Sequence, residues 1–205
     1  TIACVLINAF PLLTASLIAV AVVVLTQTIT PAQAFSGFAN ASVLLVVAAF
    51  IAAQGVVKSG LGRRISLIIV SRFGGSPIGL AYSLVFTDAM IAPAFPSNTA
   101  RGGVLFPIVL SIAKGAGSEP DSPEGRRLGG YLMFCSMAGL AVSSALWLTA
   151  TSCNPIGVQI AEKSGFEINF ASWFVHSSVP TLSAILVLPW LVSKLFSPGV
   201  KETPE

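Results

Sequence analysis

Long apolar runs separated by short polar or turn-rich segments dominate the sequence. The runs at 2–26, 42–57 and 173–195 come close to or exceed the length of about 20 apolar residues that an α-helix needs to cross a bilayer. Shorter apolar segments between them contain charged residues, prolines and glycines. This pattern predicts an all-α, multi-pass membrane protein.

The breaks between these runs predict seven segments along the chain. Segment 65–73 is flanked by arginines and is too short to cross a bilayer, which favours a helix lying at the membrane interface. The predicted segments are two transmembrane helices within 1–57, an interfacial helix within 58–75, a re-entrant hairpin at 76–113, a cytoplasmic loop at 114–128, a discontinuous transmembrane helix at 129–164, a transmembrane helix at 173–196 and a cytoplasmic tail at 197–205.

Composition supports the membrane assignment. Hydrophobic residues make up 54% of the 205 positions and charged residues only 9%, whereas soluble domains carry roughly 25% charged residues. These values exclude an ordinary soluble enzyme and a disordered tail, and a net charge of +3 is too small for a nucleic-acid-binding surface. The three cysteines, Cys4, Cys135 and Cys153, lack CxxC spacing and are interpreted as small core residues.

The distribution of basic residues predicts the orientation in the membrane. If loop 28–40 faces outward, nine of the 11 Lys and Arg residues face the cytoplasm, in agreement with the positive-inside rule. Arg72 and Lys114 then lie on the same side, so the chain between them enters the bilayer and returns. Because two complete spans need about 40 apolar residues, and the second arm at 104–113 is short, we expect a re-entrant hairpin with its tip at 93–103.

The hairpin tip carries the sequence Ser97-Asn98-Thr99 at the start of a helix. Such a cluster is often only an N-cap, in which a side chain accepts hydrogen bonds from the first backbone N–H groups. At membrane depth, hydroxyl, amide and free N–H groups at the positive end of a helix also suit an anionic carboxylate. The predicted hairpin favours substrate binding, with the cap and the binding site as one structure.

A second break, TSCNP at 151–155, interrupts the apolar run that begins at Leu128. It is either a loop between two helices or the break of a discontinuous helix, whose freed carbonyl groups coordinate a cation while its side chains face a substrate. The spacing leaves both interpretations open. Thr151 and Asn154 are the candidate substrate-binding residues of this break.

Two charged residues, Asp88 and Arg101, lie within the predicted membrane segments and are functional candidates for that reason. The guanidinium of Arg101 is a candidate ligand for a substrate carboxylate; the alternatives are that it neutralises Asp88 or anchors the hairpin to water or lipid head groups. For Asp88 a structural pair is favoured over proton coupling. His176 is interpreted as an interfacial residue, and the sequence contains no P-loop or Gly-x-Ser-x-Gly motif that would indicate an enzyme.

Nearly the whole chain resembles the divalent anion:sodium symporter (DASS) family. The resemblance rests on residues 59–109, which include PSNTARGG at 96–103, on LTATSCNP at 148–155 and on the tail at 197–205. It is strongest with the branch of 2-oxoglutarate/malate translocators and bacterial citrate or tartrate/succinate exchangers. The fold it implies is the first repeat of an inverted-repeat transporter, with a re-entrant hairpin and a discontinuous helix.

The resemblance also implies a mechanism and a set of site residues. Members move di- or tricarboxylates by an elevator-like motion and are usually homodimers in a bacterial inner membrane or a plastid inner envelope. The first helices would be scaffold and segment 58–75 the arm that links scaffold to the moving part. The implied substrate ligands are Ser97, Asn98, Thr99, Arg101, Thr151 and Asn154, and the implied Na⁺ ligands are Ser97, Asn98, Ser152 and Cys153.

Two departures from the family pattern limit what the resemblance implies. The second S-N-T hairpin is absent, so a C-terminal half is expected to complete the site, and TSCNP differs from the glycine- and proline-rich form of sodium-coupled members. The second departure favours an exchanger. No cofactor is expected, and Na⁺ stays a candidate coupling ion. Two alternatives remain: the same fold carrying sulfate or another inorganic dianion, and a non-transporting membrane scaffold.

Overall fold

A computed structural model describes residues 3–4, 7, 9–118 and 126–199, and every regular element in these ranges is a helix. The chain divides into two compact units, Thr1–Leu45 and Val46–Glu205. The predicted all-α architecture is therefore confirmed. The middle of the predicted loop 114–128 and the end of the predicted tail 197–205 lie outside the described residues.

The first unit contains two helices, α1 (Leu12–Leu25) and α2 (Pro31–Phe35), and a 3₁₀ turn, Ser36–Ala39. Thr30 fixes the start of α2, because its hydroxyl accepts from the N–H of Gln33 at 3.3 Å while the Gln33 side chain accepts from the N–H of Thr30 at 3.0 Å. The boundary between the units falls within the next helix, α3 (Ala41–Ser59).

The second unit holds the remaining helices. They are α4 (Leu61–Phe73), α5 (Pro77–Ile91) with a 3₁₀ turn at Ala92–Ala94, α6 (Asn98–Gly115), α7 (Arg126–Ser143), α8 (Cys153–Lys163) and α9 (Phe170–Leu195). Gly60, whose φ of 67° is in the left-handed region, lets the chain turn between α3 and α4. Ser76 caps α5, and Pro77 occupies its first turn.

Helix α5 forms the centre of the second unit and packs against α4, α7 and α9. Its Leu80, Ala81 and Leu84 are buried in one cluster with apolar residues of α6, α7 and α9, and Val85 and Ala89 are buried in a second cluster with Leu146 and Ile185. Apolar burial on several sides of one helix stabilises the unit around α5. The same packing places the end of α5 beside the end of α7.

Two described helical segments are long and apolar enough to cross a bilayer, Pro77–Ala94 and Phe170–Leu195. A third candidate is the pair Pro31–Ala39 and Val43–Gly55, if a broken span is accepted. Of the 18 residues of the first segment 61% are buried inside the protein, against 22% of an apolar 18-residue stretch within the second. The second segment therefore leaves more of its apolar surface exposed, and available for contact with another apolar environment, than the first segment does.

Candidate functional site

The S-N-T sequence lies at the start of α6. The preceding 3₁₀ turn contains Pro93, and Pro96 then keeps the chain extended until the helix begins. Ser97 is the N-cap, since its hydroxyl accepts from the N–H of Ala100 at 3.4 Å. Asn98 lies in the first turn and is exposed. The cap that the sequence predicted is therefore made by Ser97 and not by Asn98.

Arg101, one turn into α6, is fully buried. Its Nη1 donates to Oδ2 of Asp88 at 3.1 Å and to Oγ of Ser143 at 2.9 Å. Its Nη2 donates to Oδ1 of Asn98 at 2.7 Å and lies 2.7 Å from Oγ of Ser144. Ser143 also donates a hydrogen bond to Asp88. Arg101 therefore neutralises Asp88, one of the alternatives that the sequence left open, and at the same time holds Asn98.

Helix α7 ends at this network. The carbonyl of Leu140 accepts from Nη2 of Arg101 at 3.2 Å and lies 2.6 Å from the Ser144 hydroxyl. A guanidinium at the negative end of the α7 dipole is favourably placed. Side-chain hydroxyls that bond to helix carbonyls compete with the helical pattern, so the helix ends at Ser143 rather than running on to Ala150 through the apolar residues that follow.

The TSCNP break leads into α8, and Asn154 connects it to the same network. Nδ2 of Asn154 donates to the carbonyl of Ser144 at 2.8 Å and to the carbonyl of Trp147 at 3.0 Å. The backbone N–H of Asn154 donates to the carbonyl of Thr151 at 3.2 Å. Ser152 occupies the N-cap position of α8 but makes no side-chain capping bond.

Two further hydrogen bonds hold the segment between α7 and α8 against α5 and the tip. The indole N–H of Trp147 donates to the carbonyl of Ala89 at 2.8 Å, and the hydroxyl of Thr149 donates to the carbonyl of Pro93 at 2.9 Å. Ser144 completes the connection, because its hydroxyl lies 2.6 Å from Oδ1 of Asn98. The first turns of α6 and α8 are thus joined through one residue.

The two asparagine side chains of this site have opposite orientations. Asn98 turns its oxygen toward Arg101 and Ser144, whereas Asn154 turns its NH₂ group toward two carbonyl groups. Within the described residues, Nδ2 of Asn98 and Oδ1 of Asn154 have no protein partner. The site therefore offers a free donor at one helix start and a free acceptor at the other.

The network brings together some of the predicted site residues and leaves others aside. Asn98, Arg101 and Asn154 all contact Ser144, through its hydroxyl or its carbonyl. The side chains of Thr99 and Thr151 make no hydrogen bond to these residues in the described part of the chain, and Cys153 is exposed. No group of three His, Cys, Asp or Glu side chains that could hold a metal ion occurs there; the Na⁺ prediction concerned mainly hydroxyl, amide and carbonyl groups.

Sequence reasoning missed four residues of the site: Ser143, Ser144, Trp147 and Thr149. All four lie inside the run 128–150, whose apolar residues predict one continuous segment. The signal available was the consecutive pair Ser143-Ser144, since two adjacent hydroxyls favour the end of a helix.

Comparisons with known proteins agree on one family. The family described as "Sodium:sulfate symporter transmembrane region" matches residues 1–205. Dicarboxylate transporter 2.1, chloroplastic, of Arabidopsis thaliana is 40% identical over 185 residues, which cover 89% of this chain and 33% of that protein. The citrate/succinate antiporter of Escherichia coli K12 is 36% identical over 172 residues, which cover 83% of this chain and 35% of that protein.

A third relative matches over the full chain. Dicarboxylate transporter 1, chloroplastic, of Arabidopsis thaliana is 37% identical over 207 aligned positions, which cover 100% of this chain and 37% of that protein. The chain thus spans between a third and two fifths of the length of the curated relatives it matches.

Proposed function

The chain belongs to the sodium:sulfate symporter transmembrane-region family, which is the divalent anion:sodium symporter family, and we propose that it forms one carboxylate-binding part of a secondary transporter for di- and tricarboxylates. The family and the relatives are transporters, not enzymes. Malate, 2-oxoglutarate, succinate, citrate and tartrate are the proposed substrates.

The observation that carries this proposal is the junction of two helix starts at Ser144. Asn98 in the first turn of α6 and Asn154 in the first turn of α8 both hydrogen-bond to this residue. The N-terminal ends of helices carry partial positive charge and N–H groups without intrahelical partners. A multivalent anion that leaves water needs such donors in its place, and two converging helix starts supply them.

Charge balance supports a site that binds and releases its substrate. Asp88 cancels the positive charge of Arg101, so a dianion meets dipoles and amide groups rather than an uncompensated cation. The Nη1 and Nη2 groups of Arg101 already face protein acceptors. Arg101 then acts on the substrate through Asn98: it orients the amide and, by bonding to its oxygen, strengthens the outward N–H as a donor.

The transport cycle proposed here is of the elevator type, by exchange or by Na⁺-coupled symport, in a homodimer of the bacterial inner membrane or the plastid inner envelope. Segment 76–113 acts as a re-entrant hairpin, with the Thr151–Asn154 break opposite its tip and a second S-N-T hairpin elsewhere in the protein. The substrate shifts the equilibrium between the inward-facing and outward-facing states only as far as its affinities for the two states differ. Support comes from the resemblance at PSNTARGG and from the helix start at Asn98.

A second candidate substrate class is inorganic. The family description names sulfate, which is also a dianion and also suits helix N-termini. Carboxylates are favoured because the relatives named above are described as dicarboxylate transporters or a citrate/succinate antiporter.

The test uses the intact transporter that carries this sequence, reconstituted in proteoliposomes. Counterflow of labelled malate, succinate, citrate and 2-oxoglutarate is compared with that of sulfate, with and without Na⁺. We expect carboxylate counterflow, and we expect Asn98→Asp to abolish it, since this variant keeps the oxygen that faces Arg101 but turns the outward donor into a repelling oxygen. Sulfate counterflow alone would favour the second candidate, and undisturbed counterflow in Asn98→Asp would refute the assignment of the site.

A further inference from the structure

The polarity of the Asn154 side chain is fixed by its surroundings. Both protein partners of this amide, the backbone carbonyls of Ser144 and Trp147, are oxygens that only accept hydrogen bonds. Reversing the amide would place Oδ1 against two carbonyl oxygens and lose both bonds. The NH₂ group must therefore face the protein, and Oδ1 must face away from these carbonyls.

Ser144 and Trp147, which hold Asn154, are themselves held by hydrogen bonds to other helices. The indole of Trp147 donates to the carbonyl of Ala89 in α5 at 2.8 Å, and Ser144 contacts both Arg101 and Asn98. Asn154 is half-buried: two carbonyls hold its Nδ2, and its unpartnered Oδ1 is not fully buried. A free oxygen held in one orientation is a selective acceptor, because the ligand and not the protein must supply the donor.

We propose that Asn154 is a specificity-determining residue whose Oδ1 accepts a hydrogen bond from the hydroxyl group of the transported acid, so that the site prefers 2-hydroxy dicarboxylates to the same acids without the hydroxyl. This inference rests on the proposed function. Nδ2 of Asn98 and the α6 start bind a carboxylate, and Oδ1 of Asn154 accepts from the hydroxyl on the carbon next to that carboxylate. Carboxylate and keto oxygens only accept hydrogen bonds, so they cannot replace the hydroxyl opposite Oδ1.

The size of the effect follows from the chemistry of the contact. A hydroxyl donor in reach of a fixed neutral acceptor contributes one hydrogen bond, and an acid without that donor leaves Oδ1 unpaired once water is excluded. Sites that hydrogen-bond a substrate hydroxyl discriminate against analogues that lack it. We expect the specificity ratio of malate to succinate, two acids that differ only in the hydroxyl group, to be about tenfold.

The test measures malate, succinate and 2-fluorosuccinate counterflow in proteoliposomes containing the intact transporter. Fluorine has nearly the size of a hydroxyl but carries no proton, so 2-fluorosuccinate separates shape from hydrogen bonding in the unaltered protein. We expect malate to be favoured about tenfold over both other acids. In Asn154→Leu, which keeps the size without polar atoms, we expect the ratio of malate to succinate counterflow to fall to about two or less.

Gln159→Leu is the matched control, since it removes an amide from the same helix that makes no described hydrogen bond. Its malate-to-succinate ratio should equal that of the unaltered protein. Equal use of malate and 2-fluorosuccinate by the unaltered protein would overturn the inference, even if Asn154→Leu does not fold. An unchanged ratio in Asn154→Leu, or a change only in Na⁺ dependence, would also overturn it. If none of the carboxylates is exchanged, the proposed function itself fails.

Discussion

Arg101 and Asp88 form a buried ion pair between α6 and α5, with 3.1 Å between Nη1 and Oδ2 and side-chain exposures of 0% and 1%. The structural pair that the sequence favoured for Asp88 is therefore present, and Arg101 is its partner. The pair connects the S-N-T tip to the most buried helix of the second unit, because the same guanidinium also bonds to Asn98.

Removing one member of this pair should be far more harmful than removing both. Asp88→Leu or Arg101→Met leaves an uncompensated buried charge, which costs about 3–5 kcal/mol. The double variant carries no buried charge and should regain much of that stability. Thermal unfolding of the intact transporter in detergent measures the effect as a double-mutant cycle; additive losses from the two single variants would contradict the pairing.

Ser97 allows the capping role to be separated from the binding role. Replacing an N-cap serine by glycine costs only a few tenths of a kcal/mol of helix stability, so Ser97→Gly should fold normally. If the hydroxyl contacts substrate, the concentration of malate at half-maximal counterflow should rise severalfold. Ser76→Gly is the control, because Ser76 caps α5 in the same way, away from the S-N-T tip; equal transport in the two variants would leave Ser97 a cap alone.

Ser144 should affect transport through its contacts with Asn98 and Arg101. Its hydroxyl lies 2.6 Å from Oδ1 of Asn98 and 2.7 Å from Nη2 of Arg101. Ser144→Ala removes one net hydrogen bond of about 1 kcal/mol that orients the Asn98 amide, so counterflow should require a severalfold higher malate concentration. Ser136→Ala removes a buried hydroxyl of α7, the helix that ends just before Ser144, and this hydroxyl has no hydrogen-bond partner among the described residues; the variant should transport normally. Similar losses in both variants would indicate a packing effect.

The native cysteines provide a probe of the site. Cys153 is exposed and adjoins Asn154, whereas Cys135 is buried in the α7 core. With the other cysteines of the intact protein replaced by serine, maleimide should label Cys153 and leave Cys135 unlabelled. Malate should slow the labelling of Cys153. Labelling at the same rate with and without malate would place the TSCNP break outside the substrate site.

Sequence alone predicted much of this fold, because apolar length and helix-breaking residues are local signals. The helix start at the S-N-T tip followed from Pro96 and a capping serine, and the all-α architecture followed from the apolar runs. The early end of α7 did not follow from the apolar run, since Ser143 and Ser144 also bond to Arg101, which α6 brings from elsewhere in the chain.

The same limit applies to the site. Sequence spacing identified Asn98 and Asn154 as candidates, but it gave no means to know that one residue, Ser144, joins them. Nor did it reveal which end of each amide is free, because that depends on whether the neighbouring groups donate or accept. Ser144 and Asn98 are 46 positions apart, and a local sequence pattern cannot predict a hydrogen bond between residues so far apart in the chain.

Adding a side chain at Gly139 should destabilise the protein, because α5 and α7 approach each other closely there. A Cβ at this position would lie 2.9 Å from Cγ2 of Val85, a β-branched side chain with little rotamer freedom. Gly139→Ala should therefore destabilise the intact transporter by about 1–3 kcal/mol, measured as a lower unfolding temperature in detergent. Gly130→Ala, in the same helix but with no described atom within 4 Å of the added Cβ, should be neutral or stabilising. Val85→Ala should relieve the clash in the double variant; without that rescue, the close contact would not be the cause.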